Sequence, residues 1–184
     1  MASNSEGGAE DESRVDIAAA LASVRSRANE AHKKSSTPGQ PEPRLVAVTK
    51  TKPAEMVLEA YHNGQKHFGE NYVQELVDKA NHSLLVGLDG IRWHFIGHLQ
   101  RNKCNNLTAV PHLWCVETVD SERLATSLDS SWKKRDSKEK LKVFVQVNTS
   151  DEESKHGCPP TKASEIIKHT VSYTHLTLPT IYSV

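Results

Sequence analysis

The sequence predicts an α/β protein built on a parallel sheet, with about five of the eight βα units that a closed (β/α)8 TIM barrel requires. Three observations predict it. Short apolar runs of strand length recur between Leu45 and Asn148. Single helical patterns and short loops separate them, the order that gives parallel strands joined by helical crossovers. No Gly-x-Gly-x-x-Gly opens the first crossover, which disfavours a dinucleotide-binding sheet.

Taken in order, residues 1–12 are small, acidic and without periodicity, and read as a disordered N-terminal segment. A helix is predicted from about Asp11 to Lys34, with Val15, Ala18, Ala19, Leu21, Ala22 and Val24 as its apolar stripe. The Pro-rich stretch from Ser35 to Pro43 breaks it. Residues 44–50 form the first strand. Pro53 then suits the first turn of a helix over 54–63, ended by Gly64. Strands follow at 67–71, 91–97, 112–118 and 141–148. Helices are predicted at 72–81, 99–107, 121–134 and 160–169. After Thr170 the periodicity fails, where a sixth strand should begin.

Composition bounds the function. Lys+Arg and Asp+Glu are both 23, so there is no broad basic surface to hold a nucleic acid, although a local anion site is compatible with this balance. The longest apolar runs are too short to span a membrane. The cysteines are Cys104, Cys115 and Cys158, odd in number and without a CxxC pair, which argues against a disulfide framework or structural zinc. With no basic, apolar leader at the start, a cytoplasmic protein is expected.

Lys50 ends the first strand. Functional groups of parallel barrels sit at the carboxyl ends of strands, and a lysine there can condense with a carbonyl compound. Lys52 could help attract an anionic ligand. Two solvent-facing lysines are the plain alternative. Asn71, past the second strand, could hydrogen-bond a ligand, with Gly69 allowing close backbone approach; capping the next helix is the commoner role. His94 and His98 share one face of an extended segment. Two histidines fall short of a zinc ligand set, and His94 within an apolar strand reads as a satisfied core histidine. The polar stretch from Asn148 to Gly157 could be an active-site loop or an ordinary turn.

Together, these segments resemble a known family. Leu45-Val46-Ala47-Val48-Thr49-Lys50-Thr51-Lys52-Pro53, Phe68-Gly69-Glu70-Asn71-Tyr72-Val73-Gln74-Glu75, Trp93-His94-Phe95-Ile96-Gly97-His98-Leu99-Gln100 with Asn102-Lys103, and Val147-Asn148-Thr149-Ser150 through Glu153-Ser154-Lys155-His156-Gly157 stand in the order and spacing of the pyridoxal phosphate homeostasis protein family. The resemblance covers roughly residues 12–170. It implies a barrel like the alanine racemase N-terminal domain, with pyridoxal 5′-phosphate (PLP) held as a Schiff base on Lys50. It also implies that Lys52, Asn71 and Lys155 lie near the cofactor or take part in its handling. Thr49 stands where many relatives have Ser, and Asp151 where similar animal sequences have Gly, a change that restricts the loop.

The implied function is a non-catalytic carrier in intracellular PLP homeostasis, with PLP-dependent apo-enzymes as partners and a monomeric or weakly dimeric state. The competing reading is a racemase-like PLP enzyme. Racemases of this barrel add a second domain that brings an acid/base tyrosine, for which the chain has no room. The expected organisation is a disordered segment at 1–12, a partial PLP-binding barrel at 13–170 and a non-native tail at 171–184. That tail resembles translated adapter sequence and stands where the family continues through further βα units that grip the cofactor phosphate. A reading frame continuous in the genome through Val184 would overturn the expectation of a foreign tail.

Overall fold

The computed structural model describes residues 15–35 and 41–179. The segment 1–12, most of the Pro-rich stretch and the last residues of the tail lie outside the described residues.

The chain runs α1 (Ile17–Lys34), β1 (Ala47–Val48), α2 (Ala54–His62), β2 (His67–Glu70), α3 (Val73–Ala80), β3 (Arg92–Phe95), a 3-10 turn (Arg101–Lys103), α4 (Cys104–Thr108), β4 (Leu113–Val119), α5 (Glu122–Lys133), β5 (Leu141–Val145), α6 (Pro160–Val171) and β6 (Leu176–Thr177). The strands form one sheet in the order β1-β2-β3-β4-β5-β6. Every neighbouring pair is parallel, so all the strand carboxyl ends lie along one rim.

The two faces of the sheet differ in chemistry. Phe68, Trp93, Phe95, Val116 and Val143 pack with Leu76, Leu107, Leu124 and Leu128 of the helices into one core cluster. Each such fully buried side chain stabilises the fold by about 1.5–3 kcal/mol. Residues of opposite parity face the inner side, where Gly69 stands beside His94 and His94 beside Cys115. A Cβ on Gly69 would lie 3.0 Å from Ile96 Cδ1 and 3.2 Å from Val46 Cγ1. Its absent side chain is a packing requirement of those two residues.

Two elements differ from the sequence-based expectation. Asp16 caps α1, its Oδ1 accepting the Ala19 N–H at 2.9 Å. The inward stripe is Ile17, Leu21, Arg25, Ala28 and His32, while Val15 and Val24 are exposed. Arg25 turns the helix this way. Its guanidinium donates to the Asn63 carbonyl at 2.7 Å and to Gln65 Oε1 at 3.1 Å, tying α1 to the end of α2. The second difference is β6, where the sequence pattern lapses. Leu176 is buried against the core, the Leu141 N–H donates to the His175 carbonyl at 2.9 Å, and the His175 N–H donates to Asp129 Oδ1 at 3.0 Å. A strand this short has too few residues to display a period and is defined by its partners.

Candidate functional site at the strand carboxyl ends

Lys50 and Lys52 follow β1, Asn71 follows β2, and Lys155 lies in the loop after β5, so all four face the same rim. The Thr49 N–H donates to the Gly69 carbonyl at 3.0 Å, extending the β1–β2 ladder to the residue before Lys50. Ala47 packs on the helix side. Alternation therefore puts Val46 and Val48 on the inner face and Thr49 toward the helices, and Lys50 opens the turn that the Lys52 N–H closes onto the Thr49 carbonyl at 3.0 Å. Lys50 is exposed.

Asn71 does not cap α3. The cap position is Tyr72, and it makes no side-chain bond to the helix. Instead Asn71 Oδ1 is buried without a hydrogen-bond partner. The segment after β3 lies against the Asn71 backbone: a Cβ on Gly97 would overlap the Asn71 backbone carbonyl oxygen. Asn71 lines a cleft with Gln74, His98, Gln100, Lys103 and Asn106.

The structure brings Lys50 and Asn71 to adjacent strand ends, and Lys52 shares a cleft there with Thr51, Tyr72 and Glu75. Lys52 is exposed and lines the apolar groove between α1 and α2 with Leu21 and Met56. Lys155 is solvent-exposed and pairs with Glu152 at 2.6 Å. Its neighbour His156 stacks on His98, with ring centroids 4.1 Å apart, which folds the β5 loop back toward the end of β3.

Beneath Lys50 lies a buried ion cluster to which the sequence reading gave no role. Lys79 Nζ donates to the Thr49 carbonyl at 2.6 Å and to Glu70 Oε1 and Glu75 Oε1 at 2.7 Å each. Thr49 Oγ1 donates to Glu70 Oε1 at 2.7 Å, a bond that serine could also make. Burial raises the Glu70 carboxyl above its usual range, against the hydrogen bonds from Lys79 and Thr49. Burial acts the same way on Glu75, but hydrogen bonds from Lys79 and the Thr51 N–H outweigh it and hold this carboxyl below its usual range. The one sequence signal was the i,i+4 spacing of Glu75 and Lys79.

His94 is the satisfied core histidine the sequence predicted. Arg92 can only donate, and its NH1 lies 3.3 Å from His67 Nε2. His67 therefore donates from Nδ1 to His94 Nε2 at 2.7 Å, and His94 donates from Nδ1 to Glu117 Oε1 at 2.5 Å. Burial, with His94, Arg44 and Arg92, lowers the His67 pKa from 6.5 to about 4, which keeps it neutral in this chain of bonds. His94, Cys115 and Glu117 also form a cluster whose ligand atoms lie within 4.8 Å of one another. Both His94 nitrogens are already committed. Burial and the Glu117 charge push the Cys115 thiol up, and Arg44 and Lys142 lie over the adjoining Trp114 ring at 4.4 and 4.8 Å. This donor set suits a hydrogen-bonded interior better than a cation.

The family described as alanine racemase, N-terminal domain, matches residues 20–184. The chain belongs to that family. Within it, the pyridoxal phosphate homeostasis protein of Pongo abelii is 59% identical over 129 residues, which cover 70% of this chain and 47% of the relative. The chain thus spans about half the length of the first curated relatives it matches. Among solved structures, PipY of Synechococcus elongatus without PLP superposes with a TM-score of 0.75 at 31% identity, covering 89% of this chain and 68% of PipY. PipY with PLP bound gives 0.71 at 29% identity, covering 92% and 73%. The racemase-type barrel read from the sequence is the fold of this family member. No helix among the described residues is long and apolar enough to cross a membrane.

Proposed function

We propose that the chain binds pyridoxal phosphate covalently through Lys50 and serves as a carrier that holds the cofactor and hands it to apo-enzymes. The observation that carries this reading is the placement of Lys50 beside Asn71, whose buried Oδ1 has no partner. An unpaired buried acceptor costs about 1–3 kcal/mol, and a ligand donor would relieve it. PLP supplies an aldehyde that joins the Lys50 amine as a Schiff base with loss of one water. Asn71 offers the acceptor, and Gly97 lets the segment after β3 lie close against the Asn71 backbone. Lys155, free to leave its exposed pair with Glu152, is assigned to cofactor entry or exit, and Lys52 to attracting the phosphate. The relative solved with PLP bound supports the ligand, and the relatives named as homeostasis proteins support a carrier over an enzyme.

Borohydride reduction of the chain incubated with PLP, followed by peptide mass mapping, tests the attachment. The reduced adduct is expected on Lys50, and Lys50→Ala should remove both the adduct and its absorbance band. An adduct confined to Lys52, or on no lysine, would overturn the proposal. Addition of a PLP-requiring apo-enzyme before reduction should deplete the Lys50 adduct. Robust amino-acid racemisation by the loaded chain would instead establish an enzyme.

A further inference from the structure

Two peptide groups flank the Cα of Lys50, and one ion cluster holds both. The carbonyl of the Thr49–Lys50 peptide accepts from Lys79 Nζ at 2.6 Å. The N–H of the Lys50–Thr51 peptide donates to Glu75 Oε1 at 2.5 Å. Glu75 and Lys79 are themselves joined at 2.7 Å, and Lys79 is anchored from below by Glu70 at 2.7 Å. Since each peptide group is planar, fixing both planes fixes φ and ψ of Lys50 and the direction in which its side chain leaves the backbone. Thr51 adopts φ +63°, a left-handed conformation that is an outlier for a β-branched residue and persists where surrounding bonds over-determine it.

Stability alone is a weak reason for such a cluster. Glu70 is 0% exposed and Lys79 7% exposed, and a well-packed apolar group of similar volume commonly serves a fold as well as a buried ion pair does. What apolar residues cannot do is donate to one peptide and accept from the next.

We propose that Glu75 and Lys79 are positioning residues for Lys50, clamping the peptides on either side of it so that its amine is presented to an aldehyde ligand in one orientation. This rests on the reading that PLP attaches at Lys50.

The test compares the wild-type chain with Glu75→Ala and Glu75→Gln. Glu75 lies at the rim of the cluster, with its side chain 24% exposed, so its replacement leaves the buried Glu70–Lys79 pair in place. Two quantities are measured: the initial rate of borohydride-trappable PLP incorporation at Lys50, and hydrogen exchange at the Thr51 amide without ligand. Glu75→Ala should slow incorporation about tenfold and speed Thr51 exchange about tenfold. Glu75→Gln, which keeps an oxygen acceptor, should stay near wild type in both. Should Glu75→Ala fail to fold, Glu75→Asp, one methylene shorter, replaces it with the same expectation. Faster Thr51 exchange with unchanged incorporation would overturn the clamp, as would a Gln variant as impaired as Ala. A wild-type chain that traps PLP elsewhere, or nowhere, would instead count against attachment at Lys50.

Discussion

Lys79 shows how a charge survives burial in this molecule. An ammonium has three N–H donors and no acceptor, and here three oxygens receive them, from Thr49, Glu70 and Glu75. Asp151 is the opposite case, a residue whose backbone is unsuited to its side chain. It adopts φ +56°, the left-handed region that glycine occupies without steric cost. Asp151→Gly should stabilise the chain by about 0.5 kcal/mol, since relief of a left-handed L-residue of about 1 kcal/mol is partly offset by the greater freedom of glycine in the unfolded chain. A urea-denaturation midpoint lower than wild type would contradict this.

At the scale of single elements, α4 is secured at its end by a neighbour. The short helix α4 has no side-chain cap; Arg135, just past α5, donates from NH1 to the Thr108 and Val110 carbonyls at 2.7 and 2.6 Å. Ser131 adds a bond from its hydroxyl to Asn105 Oδ1 at 3.1 Å. Carbonyls at a helix C-terminus otherwise lack partners, and charged donors suit that end of the dipole. Arg135→Met, which keeps much of the aliphatic length, should cost about 1 kcal/mol. Urea denaturation checks this, and an unchanged midpoint would show that water replaces the guanidinium.

Taken as a whole, the sheet is bound across β2, β3 and β4 by the bonds from Arg92 through His67 and His94 to Glu117. The folded His67 pKa is about 4 and its ordinary value 6.5. Between those values the unfolded chain binds a proton that the native chain refuses. This contribution is therefore complete above about pH 6.5 and is lost as pH falls toward 4. Wild type should lose more stability than His67→Gln between pH 7 and pH 4.5, measured by urea denaturation at each pH. Equal losses would remove His67 from the account.

Much of this architecture is legible in residue order. Strand-length apolar runs and the intervening helical periods report which face each element buries, because that periodicity is local. Hence the alternation of strands and helices, the place of Lys50 at the end of the first strand and of Asn71 past the second, and the core role of His94 are legible in the residues themselves, whereas Lys155 stands out only through the family resemblance. Contacts between distant segments leave no such trace. Nothing near Lys79 announces that it is buried beneath Thr49, and nothing near Asn71 says that its amide stays off the helix. The turn of α1 onto Arg25 and the pairing of Leu176 with β5 likewise depend on partners far along the chain. Those features follow from register and packing, which set the distance between residues that sequence spacing leaves unconstrained.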